Sequence, residues 1–180
     1  MSVRSVSLSS LADTAALAAA LAPHIAGQVI FLMGTLGSGK TTFVRHLVSQ
    51  LPGGEHAEVA SPSFTLCNIY PTNPEVMHYD LYRLPPGGYD ESLEEAVELI
   101  ENPSARRSRS LLIEWAENMP EILIPENRLE IYWRLPSAPG NADRPQENLR
   151  EVILKGVGTA ENLSIFSDSA TPGCFLQAGR

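Results

Sequence analysis

Eight residues, Gly34-Thr35-Leu36-Gly37-Ser38-Gly39-Lys40-Thr41, constrain this chain more than any others. They fit G-x-x-x-x-G-K-[ST], a pattern whose glycines let the backbone curl around an anion with successive N–H groups pointing inward. Val29-Ile30-Phe31-Leu32-Met33 precedes them as a short apolar run, and Phe43, Val44, Leu47, Val48 and Leu51 follow at helical spacing. Strand, loop and helix in that order are what the pattern needs, because the helix N-terminus adds partial positive charge beneath bound phosphates. The bare pattern arises by chance in well under roughly one in a hundred chains of this length at ordinary residue frequencies. The stretch therefore reads as a P-loop, with Leu36, Gly37, Ser38, Gly39, Lys40, Thr41 and Thr42 as its nucleotide-binding set. Lys40 is placed to reach the β- and γ-phosphates, and the Thr41 hydroxyl to bind Mg²⁺.

A chain of 180 residues has room for one well-buried domain rather than two. Its hydrophobic share of 43% and charged share of 19% are those of an ordinary globular protein. The net charge of −8 argues against a broad electrostatic footprint for nucleic acid, so any role near RNA is expected to run through other proteins. Cys67 and Cys174 match no zinc or redox spacing and read as free thiols. The Ala-rich stretch from Leu11 to Met33 is broken by Asp13, His24 and Gln28, and nothing approaches the ~20 apolar residues of a membrane span. A soluble, cytoplasmic protein is the expectation.

The pattern predicts a strand over Val3–Leu8 and a helix over Leu11–Leu21 capped by Ser9 or Ser10. After the P-loop unit, strands are expected at Leu66–Tyr70 and Val76–Leu84, joined as a hairpin around Pro71-Thr72-Asn73-Pro74. Asp90 or Ser92 can cap a helix to Ile100, with Leu93, Ala96, Val97 and Ile100 on one face. Arg128–Leu135 alternates as a strand, 136–147 reads as a loop, and Leu149–Leu154 as the last strand. From Gly156 the sequence loses its period. The division expected is a domain over 1–157 and a loosely attached tail over 158–180, whose deletion after Gly158 should leave stability nearly unchanged.

Three further stretches carry candidate chemistry. Leu111-Leu112-Ile113-Glu114 is an apolar run ending in a carboxylate, the form that delivers an acid beside a P-loop onto Mg²⁺ or its water shell. Asp80 shares one strand face with Val76, His78 and Tyr82, and a mid-strand carboxylate wants a reason. Either that face is exposed on an edge strand, or Asp80 positions a metal or water. Ser61-Pro62-Ser63-Phe64-Thr65 is a surface loop or a γ-phosphate sensor. Arg106, Arg107 and Arg109 form either an exposed loop or a lid that clamps phosphate.

Taken in order, Gly34–Thr42, Ser61–Leu66, His78-Tyr79-Asp80-Leu81-Tyr82-Arg83-Leu84 and Leu112–Glu117 closely resemble the bacterial TsaE (YjeE) family, over about residues 5 to 157. That resemblance implies an α/β fold: a single P-loop NTPase domain with a mixed, mostly parallel central sheet flanked by helices. It implies an ATPase of tRNA threonylcarbamoyladenosine biosynthesis using ATP and Mg²⁺, with TsaD-like and TsaB-like partners. By the same analogy Thr41 and Glu114 hold Mg²⁺, Asp80 and Lys40 support hydrolysis, Ser61–Thr65 is switch-like, and Thr14 touches nucleotide. Thr35 stands where relatives often carry an acid, and Ser63 where they usually carry Thr. Two other functions fit the same pattern: a small-molecule kinase with the arginines as lid, and a nucleotide-gated binding module with negligible catalysis.

Overall fold

The structure, a computed structural model, describes residues 2–135, 149–166 and 176–177. Its centre is strand β2 (Val29–Gly34), whose first four residues are all buried. It pairs in parallel with β5 (Arg109–Glu114) on one side and β6 (Arg128–Arg134) on the other. A strand walled by parallel neighbours has both faces covered, which explains an unbroken apolar run rather than an alternating one. Strand β4 (Glu75–Asp80) extends the parallel set beyond β5, and β3 (Cys67–Tyr70) closes that edge as the expected antiparallel hairpin with β4. On the other side β7 (Arg150–Val157), β1 (Ser2–Leu8) and the two-residue β8 (Leu176–Gln177) add antiparallel pairings. The sheet order is β3-β4-β5-β2-β6-β7-β1-β8, mixed as expected, with the parallel ladders gathered in the four central strands.

Helices α1 (Leu11–Leu21) and α2 (Lys40–Ser49) cover one face, and α3 (Glu91–Glu101) the other. Ser10 caps α1 by accepting from the Asp13 N–H at 3.1 Å, and Asp90 caps α3 by accepting from Ser92 and Leu93 at 2.9 and 3.2 Å. Phe43, Val44, Leu47 and Val48 bury the inner stripe of α2 against Ile30, Leu32 and Leu112. Each such side chain contributes about 1.5–3 kcal/mol on full burial, so α2 is anchored firmly with the P-loop at its head. Leu93, Ala96, Val97 and Ile100 pack α3 on Val29, Phe31 and Leu111 as its periodicity predicts.

Two expectations need correction. Within the expected tail of 158–180, the stretch Gly158–Phe166 is not loose: short helical turns over Gly158–Asn162 and Ser164–Phe166 dock on the sheet. Ala160 and Ile165 are buried, the Ser2 hydroxyl donates to the Glu161 carbonyl at 3.1 Å, and Arg4 donates to the Ile165 carbonyl. Isolated contacts of this kind leave no sequence period, which is why the segment reads as unstructured. Strand β4 also ends at Asp80 rather than Leu84, because Asp80 Oδ1 accepts the Tyr82 N–H at 3.0 Å and turns the chain. The expected loop over 136–147, the rest of the tail and Cys174 lie outside the described residues. Among the described residues no helix is long and apolar enough to cross a membrane.

Candidate nucleotide site

Three adjacent strands, β4, β5 and β2, run the same way and finish at the same edge of the sheet. In register, Asp80 lies opposite Glu114, and Glu114 opposite Leu32, two residues before the P-loop glycine. Open parallel sheets bind ligands outside the carboxyl ends of their strands, and here those ends deliver two carboxylates beside a glycine-rich loop. The cleft they form measures about 290 Å³ and is lined by Leu36–Thr42, Ser61, Ser63, Asp80, Tyr82, Glu114 and Trp115.

The loop's shape depends on glycine at two points. Gly34 has φ of +140°, and a Cβ there would stand 2.4 Å from the Trp133 carbonyl oxygen. Gly39 has φ of +111° at the start of α2, a left-handed geometry that L side chains rarely adopt. Lys40 is buried with 4% exposure, and its Nζ donates to the carbonyls of Gly34 (2.7 Å) and Thr35 (3.1 Å). The ammonium also lies 4.2 Å from the Trp115 ring centroid, and the Tyr82 ring packs on Trp115 at 5.0 Å. Burial pulls the Lys40 pKa below its ordinary value, against the opposing pull of Glu114, Glu117 and Asp80.

Thr41 donates from Oγ1 to Glu114 Oε1 at 2.7 Å, and His78 Nε2 lies 3.0 Å from the same oxygen. Neighbouring ligands of an octahedral Mg²⁺ with ~2.1 Å bonds stand about 3 Å apart, so the Thr41–Glu114 oxygen pair fits that ion in spacing and in hardness. Among the described residues no three His, Cys, Asp or Glu side chains cluster into a metal site of their own. A metal here would draw its remaining ligands from water and phosphate, the usual arrangement for magnesium. Asp80, only 3% exposed, accepts from the Ser61 hydroxyl through Oδ2 and from Tyr82 N–H through Oδ1. The edge-surface reading of Asp80 is therefore wrong, since β4 is walled by β3 and β5. Ser61 thus ties the polar loop directly to that carboxylate.

Other predicted residues fall elsewhere. Thr14 is buried near the start of α1, its hydroxyl directed to the Ser10 carbonyl at 3.3 Å, and it lines no part of the cleft. Arg106 donates to the Gly27 carbonyl at 2.9 Å, Arg109 pairs with Glu75 at 3.1 Å, and Arg107 is exposed. These arginines sit at the amino ends of the parallel strands, about 17 Å along β5 from Glu114 at ~3.3 Å per residue. A phosphate lid cannot be built from that end of the sheet. Contacts that sequence reasoning did not assign are His78 on Glu114, Tyr82 with Trp115, and Arg150, whose Nε donates to the Ser38 carbonyl at 3.2 Å. Only the alternation that puts His78 and Asp80 on one strand face signalled any of them.

A central parallel strand running through a glycine loop into a helix, with acids on the neighbouring strand ends, defines a P-loop NTPase-like fold. Solved Bacillus subtilis YdiB shares it, with a TM-score of 0.62 at 22% identity over 87% of both chains. The family model described as threonylcarbamoyl adenosine biosynthesis protein TsaE matches residues 8–140, and this chain belongs to that family. The Aquifex aeolicus tRNA threonylcarbamoyladenosine biosynthesis protein TsaE is 43% identical over 101 residues, 55% of this chain and 76% of that protein. The Streptomyces coelicolor protein of the same name is 33% identical over 136 residues, 74% of this chain and 82% of its own length.

Proposed function

We propose that this chain is a Mg²⁺-dependent ATPase serving threonylcarbamoylation of the adenosine beside the tRNA anticodon, acting through TsaD-like and TsaB-like partners. The observation that carries the reading is the meeting of Lys40, Thr41, Asp80 and Glu114 around one cleft. The pathway comes from the names of the relatives, and the net charge of −8 favours a role through partner proteins over direct gripping of RNA.

Lys40 already holds its ammonium inside the loop against carbonyl oxygens, and phosphate oxygens carrying full charge compete well for the same donor. Thr41 and Glu114 would hold Mg²⁺, which when bound neutralises phosphate charge developing in transfer. Asp80 is a buried acceptor whose Oδ2 becomes available to an attacking water once the Ser61 hydroxyl turns away. Chemistry of this kind is mainly positioning and charge neutralisation on rigid strand ends.

Phosphate release from ATP and Mg²⁺, with and without the two partner proteins, tests the reading. Lys40→Ala should lose about a hundredfold or more of the turnover, because among the described residues no other cation lines the cleft. Undiminished turnover in that variant would remove the P-loop from the mechanism. A kinase would instead need an added acceptor for turnover, and Arg106 and Arg109, the side chains that could have formed its lid, are tied to Gly27 and Glu75 at the far edge of the sheet.

A further inference from the structure

His78 is fully buried in β4, in a core position where an aliphatic side chain would pack without polar cost. Its Nδ1 meets no hydrogen-bond partner among the described residues, so the ring is not held there by satisfying all of its polar atoms. Its one strong polar contact is Nε2 on Glu114 Oε1 at 3.0 Å. A carboxylate only accepts, so Nε2 carries the hydrogen and donates. Thr41 donates to that same oxygen at 2.7 Å. Two donors therefore converge on Oε1 from neighbouring elements, β4 and α2, while Oε2 accepts from none of the described residues. A carboxylate pinned at one oxygen cannot swing about its last torsion, and its second oxygen keeps one direction.

We propose that His78 is a positioning residue for the metal: by clamping Glu114 Oε1 opposite Thr41, it sets the carboxylate that Mg²⁺ and its water shell meet. The inference rests on the reading that Thr41 and Glu114 hold the metal. Groups that orient a metal-binding carboxylate commonly change metal affinity about 10–100-fold when removed. Packing alone makes a different demand, since the Tyr70 ring stands 6.2 Å from His78 and any apolar side chain of similar size would serve it.

The test is binding of Mn²⁺, a spectroscopic substitute for Mg²⁺, to the full chain with a nonhydrolysable ATP analogue, followed by electron paramagnetic resonance. His78→Leu removes the donor and should weaken Mn²⁺ about tenfold or more. His78→Gln, whose amide N–H can take the place of Nε2, should bind within about threefold of wild type, and metal-free analogue affinity should not change in either. Mn²⁺ affinity of His78→Leu within twofold of wild type, or equal losses in the Leu and Gln variants, overturns the proposal. So does a matching fall in metal-free analogue affinity, which marks a general loss of structure. If His78→Leu does not fold, His78→Asn replaces it: a shorter amide that misses Oε1 should bind Mn²⁺ weakly beside His78→Gln, and equal binding by the two overturns the idea. Glu114→Gln separates the levels. An unchanged Mn²⁺ affinity in that variant sinks the metal reading and this inference with it, whereas a loss there without one in His78→Leu sinks the inference alone.

Discussion

Truncating Ile165 to alanine tests whether the segment after β7 belongs to the domain. Ile165 is 4% exposed and joins the same core cluster as Val6, Val152 and Leu154, with Leu163 and Phe166 packed beside it. The change removes three carbons, worth about 2.4 kcal/mol at ~0.8 kcal/mol per buried carbon. A cavity term adds to this where neighbours cannot close in, and buried Ile→Ala changes span about 2–5 kcal/mol. The site lies at the rim of the core and its short turn can settle inward, so a loss of about 2–3 kcal/mol is expected. For a chain of 180 residues, ~2–4 °C per kcal/mol converts this to a midpoint lowered by about 5–10 °C. Thermal unfolding followed by far-ultraviolet circular dichroism reads it directly, with limited proteolysis reporting on the segment itself. A fall of less than about 2 °C would mean that Ile165 is not buried and that the Gly158–Phe166 stretch is loose after all.

Glu114→Ala and Asp80→Ala should still bind ATP within about tenfold, roughly 1.4 kcal/mol, because both carboxylates stand at the phosphate end of the cleft. Hydrolysis should fall about a hundredfold or more, and calorimetric titration beside a phosphate-release assay separates the two; wild-type hydrolysis in both variants would make the carboxylates structural. Glu130 is buried, which raises its pKa, but hydrogen bonds from Lys155, Tyr132 and Arg128 outweigh burial and hold it below its ordinary 4.5. A carboxyl with a lowered folded pKa adds stability above the unfolded value and loses it as pH falls through the folded one. Glu130→Gln should therefore lower the midpoint at pH 6 and differ less from wild type as pH drops below 4.5; a gap that stays constant to pH 3 would disprove the linkage.

What the sequence by itself determined was everything carried by short-range order. The P-loop is contiguous with the strand before it and the helix after it, so a single window contains the strand, the turn glycines and the anion-facing helix end. Helix α1 and helix α3 start where Ser10 and Asp90 cap them, because those hydrogen bonds span only two or three residues. The carboxylate at the end of the Leu111–Glu114 run could be named for the same reason. Its partners could not. Glu114 meets Thr41 across 73 positions and His78 across 36, and Ser61 meets Asp80 across 19. Those meetings follow from strand order, which places β4 beside β5 and β5 beside β2, and local periodicity carries no record of which strands become neighbours. Strand direction likewise sent Arg106 and Arg109 to the edge away from the cleft, although their charge alone allowed a phosphate lid. The docking of Gly158–Phe166 was decided in the same way, by scattered contacts to Ser2, Arg4 and Asn127 that only the closed sheet brings within reach.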